Sequence, residues 1–348
     1  MTFHSLKGQV LALGLGSIAG YGAFRIGMPL PWMLGPMIVN TLASMFRVPV
    51  HAPIRLRPFV IPIIGVMLGA SVTSEILAQM PQWAVTLAVL CPFLAVAAFV
   101  SFRVYRQIGG YDPVTAYYAA MPGGLNEMIL LGTANGGDEK KIALAHASRV
   151  LVTIAMVGLF YGLFLHVRSG GGGRTWIALD GLTILDWLTL AGCAAIGAPL
   201  GQRLRLPAAN LLGPMILSAA AHVSHIVAVA PPSLLVIIAQ IVLGSVIGCR
   251  FVNVPAKEIG RDLLLGILSC SGMLLAAVAF SLLTSELTGT PISAVFLAYS
   301  PGGLTEMSLL ALAMGADAAY VSVMQILRIL MIIVAAPIVF RRTKSGRA

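Results

Sequence analysis

A motif repeated inside apolar surroundings constrains this chain more than any other feature. MPGGLNEM at Met121–Met128 returns as SPGGLTEM at Ser300–Met307. LGPMI at Leu34–Ile38 recurs at Leu212–Ile216, Asp138 is matched by Asp317, and Arg149 by Arg328, all at nearly one offset. Ordered matches at a fixed spacing mark two homologous halves. Whatever one copy builds should therefore have a counterpart in the other.

The surroundings set the class. Hydrophobic residues make up 58% of the chain and charged residues only 10%, and the apolar runs are about as long as a bilayer is thick, roughly 20 residues. This is the composition of a polytopic α-helical membrane protein. The first run, from Gly8 to near Ile26, is followed by further spans rather than by a cleavage site, so it is expected to stay as an anchor. Cys91, Cys193, Cys249 and Cys270 are scattered singly through apolar segments, which reads as small packing residues rather than a disulfide framework or metal cluster. The net charge of +10 comes from basic residues in short loops and at the C-terminus. Orientation in a membrane accounts for them without nucleic acid.

Each half holds six apolar segments, near residues 8–27, 30–46, 59–79, 83–102, 112–134 and 142–165, then 183–200, 207–221, 233–249, 263–284, 292–313 and 319–340. If all of them cross, lysines and arginines fall on both sides. If the two PGG segments make no net crossing, only Arg25, Arg168 and Arg174 lie outside, with Arg149 and Arg328 left within the membrane. The second arrangement fits the positive-inside rule far better. Five crossings per half is an odd number, so the second half lies upside down relative to the first. The expected fold is an all-α polytopic membrane protein of two inverted-topology repeats, with about 10 spanning helices and two broken or re-entrant PGG segments. The repeats occupy 1–168 and 183–340, joined by a Gly-rich connector at 169–182 and followed by a basic tail at 341–348.

The PGG segments are where chemistry is expected. Proline donates no backbone hydrogen bond and glycine permits irregular backbone, so Pro122, Gly123 and Gly124, and Pro301, Gly302 and Gly303, should interrupt their helices. Freed backbone groups and half-helix dipoles at membrane depth can bind ions or polar solute. Asn126 and Glu127 follow the first break, Thr305 and Glu306 the second. Ionised glutamates in hydrocarbon need a partner, a proton or water. Arg149 and Arg328, at equal distances downstream of the glutamates, are the candidate charge-balancing partners. The pairs can pin each PGG segment to the next helix. They can also tune the glutamates as proton or cation ligands, or bind an anion in competition with them.

Other repeated residues read more simply. Asp138 and Asp317 stand where they can cap the following helices. The LGPMI copies read as close-packing or bent spans, with Asn40 and Ser218 as polar helix-packing contacts. His146, whose counterpart is Gln325, reads as a packing residue that breaks the equivalence of the halves. His4, His51, His146, His166, His222 and His225 show no repeated ligand spacing, so the oxygenase ligand pattern is lacking.

These LGPM and PGG motifs, in order over nearly the whole sequence, resemble the membrane AbrB family. That resemblance implies a duplicated membrane fold grouped with cation:proton antiporters and anion transporters. It also carries labels of ammonia monooxygenase and of regulator of gene expression. The expected function is secondary transport of an unidentified small solute, coupled to protons or cations, without cofactor or enzymatic activity. The alternative is a membrane sensor or regulatory scaffold that affects gene expression indirectly. The expected partners are the lipid bilayer and the solute, without direct nucleic acid and with homo-oligomerisation open. The expected location is a bacterial inner membrane, with both termini cytoplasmic.

Overall fold

The computed structural model describes residues 3–345 except 29, 80, 82, 165–175, 207 and 253; residues 169–175 of the Gly-rich connector lie outside the described residues. Every regular element among them is helical: α1 (Phe3–Arg25), α2 (Pro31–Met45), α3 (Arg57–Gly69), α4 (Ser74–Gln79), α5 (Trp83–Arg103), α6 (Pro113–Ala120), α7 (Leu125–Ala134), α8 (Glu139–Phe164), α9 (Ile184–Arg203), α10 (Ala209–Val223), α11 (Ser233–Gly248), α12 (Ala256–Thr288), α13 (Ile292–Tyr299), α14 (Leu304–Ala313) and α15 (Ala318–Ser345). Six helices are long and apolar enough to cross a membrane, at 83–108, 139–160, 184–203, 233–251, 257–288 and 318–341. The protein is an all-α polytopic membrane protein. The helices α2, α3 and α10 have 15, 13 and 15 residues, fewer than the roughly 20 needed for a straight crossing.

Packing divides the chain into two compact units that cut across the sequence halves. Unit 1 comprises Met1–Pro81, Ile154–Pro255 and Thr305–Tyr320; unit 2 comprises Gln82–Thr153, Ala256–Leu304 and Val321–Ala348. Each unit takes segments from both halves.

In unit 1 the duplication is visible as paired backbone contacts. Helix α2 packs on α1 and α11, and its counterpart α10 packs on α9 and α3. The glycines of both LGPM motifs make this possible. A Cβ at Gly35 would lie 2.5 Å from the Ala19 carbonyl oxygen, and one at Gly213 would collide with that of Gly197. On the opposite faces, Gly244 and Gly248 of α11 abut the carbonyls of Met33 and Met37, while Gly65 and Gly69 of α3 abut those of Leu211 and Met215. Both are G-x-x-x-G pairs, the small-residue spacing that lets membrane helices approach closely and gain dispersion contact. The match extends to strained backbone, since Leu30 and Ala208 before the helices, and Arg47 and His225 after them, all have positive φ. Asn40 donates to Ala12 O at 3.1 Å, and Ser218 to Val66 O at 2.7 Å. The LGPM segments are thus close-packing elements with polar contacts between helices.

Unit 2 is built around α5 and α12. The ring of Phe93 stacks on Tyr299 at 5.0 Å, and the Tyr299 hydroxyl donates to Thr86 O at 2.9 Å. Ser101 and Ser269 share a buried hydrogen bond of 2.7 Å across the two long helices. Cys270 is buried and free, as are Cys193 and Cys249 in unit 1.

The close approach in unit 1 gives a direct test. Gly213→Val should lower stability by about 1–3 kcal/mol or abolish folding, as overpacking does, because its Cβ meets backbone that cannot give way. Gly192→Ala, where a Cβ meets nothing within 4 Å, should leave the thermal midpoint in detergent unchanged or slightly raised.

Candidate functional site

The helix interruptions fall on the PGG sequences. Helix α6 ends at Ala120 and α7 begins at Leu125, with Met121 and Gly124 both extended. Helix α13 ends at Tyr299 and α14 begins at Leu304. The first interruption is a reversal. Asn135, just past α7, donates to the Tyr118 hydroxyl of α6 at 3.1 Å, and the Asp138 N–H reaches Thr115 Oγ1 at 2.8 Å. The residues after α7 therefore return to the start of α6, and a segment whose ends meet makes no net crossing. Asp112 opens the hairpin by capping α6 through Val114 and Thr115 N–H.

Proline dictates what the neighbouring helix must supply. An α-helical N–H at Pro122 would have bonded the carbonyl of Tyr118, and one at Pro301 that of Leu297. Both carbonyls are orphaned by the sequence. In the first half, His146 Nε2 lies 3.0 Å from Tyr118 O. A carbonyl only accepts, so Nε2 carries the proton and Nδ1 accepts from Arg149. In the second half, Gln325 Nε2 donates to Leu297 O at 2.9 Å, and also to Ala298 and Ser300 O at 3.2 Å each. His146 and Gln325 therefore perform one task at equivalent positions, contrary to the expectation that they break the equivalence of the halves.

The arginines complete each grip. Arg149 Nη1 donates to Ala119 and Ala120 O at 3.3 and 3.2 Å. Arg328 donates through Nη1 to Ser300 O at 2.5 Å and through Nη2 to Gly302 O at 2.8 Å. Each guanidinium sits at the C-terminal end of a half-helix, where the macrodipole favours a cation. The expected ion pair of Glu127 with Arg149 is not formed. Among the described residues the ion pairs of unit 2 are Lys140 with Glu258 and Lys141 with Asp138. Orphaned carbonyls claim the arginine because they are fixed and buried, whereas Glu127 is exposed on the first turn of α7. Its carboxylate folds back over Gly124, where a Cβ would collide with it, and there it faces the positive end of α7.

The break residues and both arginines lie in unit 2, and α15 links them. Arg328 holds the second break, and one turn later Ile332 faces the first, where a Cβ at Gly123 would lie 2.7 Å from Ile332 Cγ2. The Tyr117 hydroxyl of α6 also donates to Ala336 O of α15 at 2.8 Å. The charge of Arg149 is within electrostatic reach of Arg328. Pro122, Gly123, Gly124, Glu127 and Arg149 thus share a unit with Pro301, Gly302, Gly303 and Arg328. Thr305 and Glu306 belong to unit 1, where Glu306 lies within electrostatic reach of Arg250. Asn126 sits on the first turn of α7, and its side chain lies outside the described residues. Asp138 and Asp317 cap α8 and α15 through the N–H groups of Lys141 and Tyr320.

A cavity of about 1070 Å³ in unit 2 adjoins the first break at Met121 and Pro122, between α5, α6 and α15. Its walls are overwhelmingly apolar and suit hydrocarbon rather than a hydrated ion. Among the described residues no three His, Cys, Asp or Glu side chains stand together as metal ligands.

Comparison with known proteins supplies the family. The family described as transition state regulatory protein AbrB matches residues 32–344. The chain belongs to the AbrB family. It is 25% identical over 335 residues, 96% of this chain and 95% of the relative, to the AbrB protein of Escherichia coli (strain K12), named for a proposed regulatory role. It is 23% identical over 350 residues, 94% and 91% of the two chains, to YhjN of Bacillus subtilis (strain 168), named as an uncharacterized protein. Neither name is that of an enzyme.

The equivalence of His146 and Gln325 can be tested by exchange. His146→Gln should keep the donor to Tyr118 O and change stability little. His146→Ala should cost about 1–3 kcal/mol, the penalty of leaving a buried acceptor unpaired, read as a fall in the thermal midpoint.

Proposed function

We propose that this AbrB-family chain is a secondary transporter of a small solute, coupled to protons or cations, with its site at the paired helix breaks. The observation that carries the reading is the pair of interrupted helices, each gripped through its carbonyls by donors on the next long helix. Irregular backbone at membrane depth is retained where it serves a cavity or an ion path, and transporters place solute sites at such interruptions. In this reading Pro122–Gly124 and Pro301–Gly303 shape the site, and Asn126 and Thr305 offer neutral polar contacts. Glu127 and Glu306 exchange protons or cations, while Arg149 and Arg328 hold the breaks in place and supply the positive charge of the site. Exposure of Glu127 beside its break supports the exchange role, since a coupling carboxylate must meet water. The chain resides in this reading in a bacterial inner membrane with both termini cytoplasmic, as the positive-inside count favours. It carries out no covalent chemistry.

The second reading is a membrane sensor or scaffold that influences gene expression indirectly; the regulatory wording of the family description and of one relative's name favours it. Gradient-driven flux into proteoliposomes decides between them. Flux by the wild type that falls at least tenfold in the Glu127→Gln/Glu306→Gln variant is the expected outcome. Flux that survives this double neutralisation removes the coupling role. No flux across a broad solute panel, with a partner retained on purification from native membranes, favours the sensor.

A further inference from the structure

The environment of Arg149 and Arg328 narrows the class of solute. Both are 2% exposed, and their hydrogen bonds go to uncharged groups, namely main-chain carbonyls and the His146 ring. The carboxylates of unit 2 that could have balanced them are committed elsewhere. Asp112 caps α6, Asp138 caps α8, Glu258 pairs with Lys140, Asp262 accepts from Tyr111 at 3.0 Å, Glu127 folds back over Gly124, and Glu139 and Glu286 are exposed. Two buried cations within electrostatic reach of one another, without an anion, are a costly arrangement that carbonyl dipoles offset only in part.

Two polar atoms at the second break are left over. Arg328 Nε and Gln325 Oε1 are buried without a hydrogen-bond partner among the described residues. The three carbonyls around Gln325 Nε2 fix the orientation of the amide, so Oε1 is an acceptor in want of a donor. Arg328 Nε is a charged donor in want of an acceptor. A single ligand that satisfies both must present an anionic oxygen and, close by, an O–H or N–H group. Resting on the reading of the breaks as a solute site, we propose that the solute is a small oxyanion that also carries a hydrogen-bond donor, as a 2-hydroxycarboxylate or hydrogenphosphate does. The anion neutralises the arginine pair, with one oxygen on Arg328 Nε, and its donor group bonds Gln325 Oε1. An anion without a donor would leave Oε1 unpaired in a buried site. Such a mismatch discriminates more strongly than a difference in apolar contact.

Matched pairs of probes test this on the full chain in detergent, by calorimetric titration at constant ionic strength and neutral pH. Lactate is compared with propionate, and phosphate with sulfate. We expect at least one donor-bearing member to bind about tenfold or more tightly than its partner, the difference made by leaving the buried Gln325 acceptor unpaired. The two pairs separate a carboxylate solute from a phosphate. Arg328→Lys, which keeps the charge but lacks Nε, should weaken the preferred probe about tenfold. Gln325→His, which restores the arrangement of the first half, should reduce the preference within the pair. If a variant does not fold, the wild-type selectivity still decides. Equal binding within both pairs, or binding of none of the four, overturns the proposal and leaves a buried water only at these atoms. Selectivity without flux in proteoliposomes would sustain the oxyanion site while removing transport. Flux of a cation or neutral solute without this selectivity would do the reverse.

Discussion

A proline in an intramembrane helix creates a debt at a known place. It removes one N–H, leaving the carbonyl four residues earlier without its donor, and hydrocarbon offers none in exchange. This constraint organises unit 2. Pro122 frees Tyr118 O and Pro301 frees Leu297 O; α8 answers with His146 and Arg149, α15 with Gln325 and Arg328. Donors three residues apart lie on one helix face, so a single side of each long helix serves its whole break. The breaks are therefore held as rigid features rather than as frayed helix ends. A site assembled at these breaks would keep its geometry without bound solute.

Unit 1 is made by a different force. Its helices approach through glycine against carbonyl, and the same contacts occur twice, Gly35 and Gly213 on one face, Gly244 with Gly248 and Gly65 with Gly69 on the other. Dispersion between closely set backbones is what membrane helices use when lipid is as apolar as their side chains. One unit carries interrupted helices gripped by buried arginines, and the other is tightly packed. A duplicated sequence has thus produced two bodies of different physical character, because each is assembled from parts of both halves.

Much of this was legible in the residues. The repeat gave the correspondence of elements, the PGG sequences gave the positions of the breaks, and the charge distribution implied that a PGG segment makes no net crossing. The return of Asn135 and Asp138 to α6 agrees with that implication. The partners of the arginines were not legible. Equal spacing from Glu127 to Arg149 and from Glu306 to Arg328 pointed to ion pairs, since opposite charges are conspicuous in an apolar sequence while orphaned carbonyls carry no letter. The signal was present in the prolines, which fix which carbonyl is freed, and in His146 and Gln325, each three residues before its arginine. The G-x-x-x-G pairs at Gly65–Gly69 and Gly244–Gly248 were also open to reading; their meaning emerges only with the LGPM helices that pack on them.

Arg149 thus serves the backbone of the break rather than the carboxylate of Glu127. A double-mutant cycle on thermal stability, using Arg149→Met, Glu127→Gln and the combination, measures that directly. A costly arginine variant, a nearly neutral glutamine variant and a coupling within about 0.5 kcal/mol of zero are expected, as for residues without a shared interaction. A coupling of about 3 kcal/mol or more, the size expected when one partner of a buried ion pair is removed, would contradict it.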